Sequence, residues 1–203
     1  YMVVQDPRKL TITNWEPGKV EWFDAPLNPA APEGPSRKIP FTGELLIERA
    51  DFMEDAPKKY FRLKPDGEVR LKYTYIIKCN EIVKDADGNV VELKCTYDPS
   101  TRPGSGEWRS VKGTIHWVSA AHAKEVELRL YDKLFTEPEM GSIPEGKDYK
   151  EYLNPDSLKV TSGFAEPALL EDNSGLAVQF ERVGYFFKDL DSTPEHFVFN
   201  KTT

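Results

Sequence analysis

Prolines recur so often in this chain that long helices are excluded. Sixteen of the 203 residues are proline, and proline inside a helix removes a hydrogen bond and clashes with the preceding turn. With aromatic residues at 12%, this composition favours strands joined by turns over a helical bundle. The densest proline segment, residues 25–37, predicts rigid turns; its prolines are Pro26, Pro29, Pro32 and Pro35.

Alternating apolar and polar residues predict the strands themselves. The segment Lys9–Trp15 is one example, with Leu10 and Ile12 on the same side. We expect roughly ten to twelve strands at this spacing, with one or two short helices, one of them at Tyr149–Leu153. The fold class is therefore all-β, and at this length two barrels are favoured over one.

The segment 68–98 predicts a long β-hairpin. Residues 68–83 form one strand, residues 90–98 return, and Asp87-Gly88 supplies the positive φ of the turn. If Lys84 pairs with Val90, Cys79 faces Cys95. Two facing thiols could form a redox pair, but two small buried fillers are the preferred interpretation.

Little else in the sequence suggests chemistry or a membrane. Two cysteines without a CxxC motif predict no disulfide framework and no zinc site, and they fit a reducing, cytoplasmic setting. No apolar run is long enough to span a bilayer, and the first residues predict no secretory signal. His116 and His122 flank Ser119, but no GxSxG motif and no orienting acid accompany them. Phosphate-binding glycine loops are also missing from the sequence.

The basic residues are unevenly distributed. The net charge of −7 argues by itself against nucleic-acid binding. Between Lys58 and Lys72, however, six basic residues stand against two acidic ones. A basic patch on an acidic protein can bind a polyanion in one orientation. A solvated pair of strands with surface lysines is the simpler alternative from charge alone.

Several long stretches resemble one protein family. In chain order they read DPRKLTITNW, ERADFMEDAPKKYFRLKPDGEVRLKYTYIIKC, KDADGNVVELKCTYDPSTR, VKGTIHWVSAAHA and QFERVGYFFKDLDST. They are similar to the C-terminal half of glutaminyl-tRNA synthetases, and they follow that family's order and spacing. The pair GTIHWVSAAHA and QFERxGYF is too specific for generic strand sequence.

The resemblance implies a fold, a function and partners. Family members are class I synthetases that ligate glutamine to its tRNA with ATP and Mg²⁺. Their C-terminal half forms two nested barrels like ribosomal protein L25, here expected over 1–56 plus 160–203 (proximal) and 57–159 (distal). The implied partners are the tRNA-Gln anticodon loop and the protein's own catalytic domain. This chain alone, as a piece of the longer protein, is expected to be no enzyme and to need no cofactor.

The resemblance also assigns the anticodon contacts to six residues. They are Lys59, Arg62, Arg70, Lys72, Gln179 and Arg182. These side chains suit the task, since proteins read unpaired bases by hydrogen bonds to their edges. Lys72 replaces a usual arginine, which loses the guanidinium fork. Phe61 stands where a basic residue is common, so a stack can replace a charge there.

Two further expectations follow for these residues. Gln179 and Arg182 fall on opposite faces of a regular strand, so both can reach one base only if a bend intervenes, for example near Gly184. In the full-length enzyme that the resemblance implies, replacing Arg70 or Gln179 by alanine is expected to weaken aminoacylation by roughly 1–3 kcal/mol, with little loss of stability.

Three alternatives remain from the sequence. The first is the same region of a non-bacterial-type glutamyl-tRNA synthetase. The second is an L25-like structural protein that binds 5S rRNA, although such chains are usually shorter and more basic. The third is a free-standing enzyme, for which the sequence offers no acid–base pair.

Overall fold

The computed structural model describes residues 1–105 and 109–202, and these residues form mainly β-strands. Residues 106–108 and 203, which the predicted domain ranges include, lie outside the described residues. The strands are β1 (Val3–Val4), β2 (Pro7–Ile12), β3 (Glu21–Pro26), β4 (Ser36–Phe41), β5 (Glu44–Glu48), β6 (Glu68–Leu71), β7 (Ile76–Lys84), β8 (Val90–Tyr97), β9 (Thr114–Ile115), β10 (Trp117–Ser119), β11 (Lys124–Tyr131), β12 (Leu158–Ala165), β13 (Val178–Phe180), β14 (Gly184–Lys188) and β15 (Val198–Lys201).

The helical segments are short. One α-helix, α1, covers Pro167–Leu170, and Pro167 occupies its first turn, where proline is tolerated. The remaining helical turns in the described residues are of the 3-10 type: Arg49–Asp51, Pro99–Thr101, Met140–Ser142 and Tyr149–Tyr152. The all-β prediction is confirmed, and so is the short helical turn expected near Tyr149.

The first barrel is a seven-stranded sheet in the order β10-β5-β2-β8-β7-β6-β9. Its two edge strands, β9 and β10, are separated in the chain by His116 alone, so the chain itself connects the two edges. The β3–β4 hairpin adds Phe23 and Phe41 to the core of this barrel. Phe41 packs against Trp15 and Trp117, with ring centroids 4.8 and 5.2 Å apart. This aromatic core makes the first barrel a rigid support for the residues on its outer face.

The second barrel is a six-stranded sheet in the order β1-β12-β11-β15-β14-β13. Hydrogen bonds also join its edges, because the main chain of Tyr1 donates to Gln179 and accepts from Glu181, each at 2.8 Å. Phe180 and Phe186 stack in its core with centroids 4.1 Å apart. Both sheets are therefore nearly closed, as two barrels require.

The sheets divide the chain differently from the predicted domain ranges. The first barrel takes strands from residues 7–119, and the second takes residues 3–4 and 124–201. The predicted assignment of 1–56 plus 160–203 to one barrel and 57–159 to the other does not match this pairing. The reason is that the fully buried Leu10 and Leu45 of β2 and β5 belong to the same core as Leu93 of β8. One barrel is still inserted within the other, because β1 precedes the insertion.

The predicted hairpin is confirmed in part. Cys79 faces Cys95 and Lys84 faces Val90, but two bulges between these pairs shift the register and cancel each other. Both cysteines are buried free thiols. The predicted strand 68–83 is interrupted by a tight turn, in which Tyr73 has a φ of 66°. That turn separates β6 from β7.

Candidate nucleic-acid interface

The two barrels meet along a seam of charged and polar side chains. The tip of the β13–β14 hairpin, residues 181–183, extends from the second barrel onto the first. Its turn is closed by a hydrogen bond from Val183 to Phe180 and places Arg182 at a φ of 65°. We define the seam cluster by the side chains that meet there: Asp51, Arg62, Lys72, Tyr73, His116, Glu181 and Arg182.

Asp51 lies at the centre of the seam cluster. It ends the 3-10 turn after β5, and its side chain is only 1% exposed. Arg182 forms a bidentate ion pair with it, with Nη1 2.7 Å from Oδ2 and Nη2 2.6 Å from Oδ1. The Nε of Arg62 lies 3.3 Å from the same Oδ1. One buried carboxylate thus holds two guanidinium groups, one from each barrel.

His116 extends this arrangement below Arg182. Its Nδ1 lies 3.3 Å from Nη1 of Arg182, and its Nε2 lies 3.3 Å from Oε1 of Glu48. Burial opposes ionisation of Glu48. Hydrogen bonds from His116 and from the N–H groups of Gln5 and Asp6 outweigh it, so the pKa of this carboxyl is below its ordinary value.

Glu181 makes the second link between the barrels. Its carboxylate forms an ion pair with Lys72 and accepts a 2.6 Å hydrogen bond from the hydroxyl of Tyr73. Burial alone would raise the pKa of Glu181, but these two partners lower it below the ordinary value. The pKa of Tyr73 is raised, first by burial and then by Glu181. Lys72 is therefore held by an anion before any ligand arrives.

The structure brings three of the six predicted contacts together and places the others around them. Arg62 and Arg182 share Asp51, and Lys72 binds Glu181, the residue beside Arg182. Gln179 is exposed on β13 and lines a cavity of about 240 Å³ with Glu181. Lys59 is exposed in the segment that leads to Arg62.

Arg70 donates hydrogen bonds to main-chain carbonyl groups outside the seam cluster. Its side chain is largely buried, and Nη1 donates to the carbonyl oxygens of Thr74 (2.7 Å) and Thr101 (3.2 Å). Nη2 donates to the carbonyl of Arg109 at 3.0 Å. Burial, assisted by nearby Arg109, lowers the pKa of this guanidinium. These contacts give Arg70 a structural role, and its contact with a base stays a prediction.

A turn separates Gln179 from Arg182, so the expected bend between them is present, and their contact with one base stays a prediction. Gln179 lies within β13, but Arg182 lies beyond its end, where strand alternation no longer applies.

The sequence did not single out Asp51, His116 or Glu181 as site residues. Glu181 stands inside the QFER motif between Gln179 and Arg182, so the motif could have marked it as a site residue. Nothing in the sequence distinguished Asp51 from other acidic residues.

Ser119 and His122 do form a hydrogen bond, with Oγ 3.1 Å from Nδ1. Ser119 is buried, and its hydroxyl also lies 2.8 Å from the hydroxyl of Thr42. The main chain of His122 donates to the carbonyl of Ser119, which closes a turn after β10. The pair therefore stabilises this turn.

Neither a metal-ion cluster nor a membrane-spanning helix occurs in the part of the chain that the structure describes. Within residues 1–105 and 109–202, no three His, Cys, Asp or Glu side chains are grouped as ligands of a metal ion. In the same part of the chain, no helix has the length and apolarity needed to cross a membrane.

Comparison with known proteins identifies the family. Two family models match, both described as the anticodon-binding domain of class I tRNA synthetases (E and Q), over residues 1–98 and 114–189. A glutamine–tRNA ligase of Rhodopirellula baltica is 52% identical over 201 residues, which are 98% of this chain and 33% of the relative. The ligases of Nitrobacter hamburgensis and Pseudomonas putida are each 49% identical, over 99% of this chain and 36% of theirs. The chain spans about a third of the length of these relatives, and it belongs to the anticodon-binding domain family of the class I tRNA synthetases for glutamate and glutamine.

Proposed function

We propose that this chain reads the anticodon loop of tRNA-Gln as the C-terminal part of a glutamine–tRNA ligase. The observation that carries the proposal is the seam cluster, where Arg62, Lys72 and Arg182 are held between two barrels, and Gln179 is exposed in the hairpin that carries Arg182. Cationic and amide side chains held where two barrels meet suit a loop whose bases must be splayed apart to be read.

The side chains match the bases that a glutamine anticodon presents. Glutamine anticodons carry uracil in the middle and guanine in the third position. An amide such as that of Gln179 can donate and accept, which the edge of uracil requires. An arginine fork matches O6 and N7 of guanine. Arg62 is the better candidate for guanine, because its side chain is 45% exposed and that of Arg182 is 30% exposed and bound bidentately to Asp51.

The ligation itself is assigned to the part of the relatives that this chain does not match. ATP and Mg²⁺ would act there. The contribution of this chain is to bind and orient the RNA. The cytoplasm, where tRNA is charged, is the location that this function implies.

Two other functions give different binding preferences. Glutamate anticodons differ from those of glutamine at the third position, where cytosine replaces guanine, so a glutamyl-specific domain would prefer cytosine there. An L25-like protein would prefer 5S rRNA. The identity to glutamine–tRNA ligases, which extends over nearly all of this chain, does not favour either alternative.

Binding of anticodon stem-loops tests the proposal. Fluorescence anisotropy would compare a glutamine stem-loop with one that differs only by cytosine at the third position, and with a 5S rRNA fragment. We expect weak, salt-dependent binding, because many phosphate contacts would lie on the rest of the longer protein. Within that binding we expect preference for guanine. Equal affinity for all three RNAs would contradict the proposal.

A further inference from the structure

We propose that Asp51 is a positioning residue, which fixes the guanidinium group of Arg62 in the orientation that reads a base. This inference rests on the proposed function and deepens it. Asp51 itself is fully buried and does not touch the RNA. It acts through Arg62, whose Nε lies 3.3 Å from its carboxylate.

The geometry around Arg62 supports this role. Its Nη1 donates to the carbonyl of Ala50 at 3.1 Å, so the guanidinium is anchored at two neighbouring points, Ala50 and Asp51. The side chain is nevertheless 45% exposed. An arginine held at Nε and Nη1 has already lost much of the rotamer freedom that binding would remove. Its exposed part can still donate N–H groups to an acceptor on a base.

A purely structural role is the alternative to be separated by experiment. Asp51 also pairs with Arg182 of the second barrel, and a buried carboxylate of this kind fixes the barrels to each other. Loss of such a pair leaves an uncompensated buried charge and destabilises the protein. Lower stability would weaken binding of every RNA alike, because it reduces the folded fraction. It would leave the preference between two RNAs unchanged.

The chain offers a matched control in Glu166. This carboxylate is also buried and also joins the barrels, through an ion pair with Arg37 of β4. It accepts a further 3.1 Å hydrogen bond from the main chain of Met2. Glu166→Gln and Asp51→Asn therefore remove comparable buried charges at two different places in the contact between the barrels. Asp51 is the one of the two that contacts Arg62.

The measurement is the affinity ratio for two stem-loops that carry guanine or cytosine at the third anticodon position. We expect Asp51→Asn to lower this ratio roughly tenfold, the size of one lost base contact. Glu166→Gln should keep the wild-type ratio even if urea unfolding shows it to be less stable. A wild-type ratio in Asp51→Asn, or an equal loss in both variants, would overturn the proposal.

Two further variants keep the test decisive. In an Arg62→Ala background, Asp51→Asn should lower the ratio no further, because the residue it positions is gone; a further drop would count against the role. If Asp51→Asn alone does not fold, the double variant Asp51→Asn with Arg182→Met replaces both partners of the buried pair, and its ratio is expected to be roughly tenfold below that of Arg182→Met alone. Wild-type protein that shows no preference at all would overturn the proposed function together with this inference. Preference in the wild type that survives in Asp51→Asn overturns the inference alone.

Discussion

Arg182 and Asp51 are separated by 131 positions in the chain, yet they form a bidentate ion pair with distances of 2.7 and 2.6 Å. The pair joins a hairpin tip of the second barrel to the turn after β5 of the first. With the Lys72–Glu181 pair beside it, it fixes the relative orientation of the two barrels. RNA that enters the seam would therefore meet one preassembled surface, in which cations are already matched with anions.

The substitution Arg62→Lys should separate charge from geometry. Lysine keeps the positive charge near Asp51 but loses the planar fork. We expect the affinity for the glutamine stem-loop to fall by about 1–3 kcal/mol, with the preference for guanine reduced. Stability should change little, because the side chain is almost half exposed. Anisotropy and urea unfolding measure the two effects, and unchanged affinity and preference would remove Arg62 from the site.

Replacement of Arg70 by alanine should chiefly reduce stability. The guanidinium donates to three carbonyl oxygens from three different segments, and the variant leaves these acceptors without it. We expect a loss of about 2–3 kcal/mol in the free energy of unfolding. This differs from the sequence-based expectation of little destabilisation. The exposed Lys59→Ala is the control, expected within about 0.5 kcal/mol of wild type. Equal stability of the two variants would restore the earlier expectation.

Stability should depend on pH through Glu181. Its pKa is lowered in the folded state, so the group contributes stability above its unfolded pKa, which is about 4.3. That contribution is lost as the pH falls through the lower folded value, because both states are then protonated. The stability difference between wild type and Glu181→Gln should therefore be largest near neutral pH and shrink in acid.

Urea unfolding at a series of pH values measures this difference. The exposed Glu125 supplies the control, since Glu125→Gln should differ little from wild type at any pH. A Glu181→Gln difference that stays constant from neutral to acidic pH would contradict the assigned ion pair.

Gly113→Ala should disturb the segment that carries Arg62. A Cβ at position 113 would overlap the carbonyl oxygen of Phe61, a main-chain atom that cannot move away easily. We expect a destabilisation of about 1–3 kcal/mol, typical of an overpacked site, together with weaker stem-loop binding. Gly141→Ala is the matched control, because a Cβ there meets nothing within 4 Å. Equal stability of the two variants would show that the segment can shift without cost.

The regular features of the fold could be predicted because they depend on local patterns. Asp87-Gly88 fixed the hairpin turn, and the register placed Cys79 opposite Cys95. The bulges between them left no signal, because each adds a residue to one strand and their effects cancel. The tight turn at Tyr73 was also missed, since a tyrosine with positive φ is rare and the segment around it has strand-like composition.

The candidate site was predictable only where motifs carried it. Arg62, Lys72, Gln179 and Arg182 followed from short stretches of matching sequence. Asp51 and His116 did not, because their importance arises from folding: an acid after β5 meets an arginine from the other end of the chain. The domain ranges differed from the sheets for the same reason. Which strands share a barrel depends on pairings between distant segments, such as β2 with β8, and no local pattern in the sequence marks them.

The pairing of β1 with β12 has a consequence for biosynthesis. Val3 lies opposite Ala165, so β1 stays unpaired during synthesis until the first barrel and then β12 have followed it out of the ribosome. The first barrel can fold in the meantime, whereas the second barrel cannot close before its last strands emerge. Slow steps and exposed apolar edges are therefore expected at the second barrel, after the first has formed.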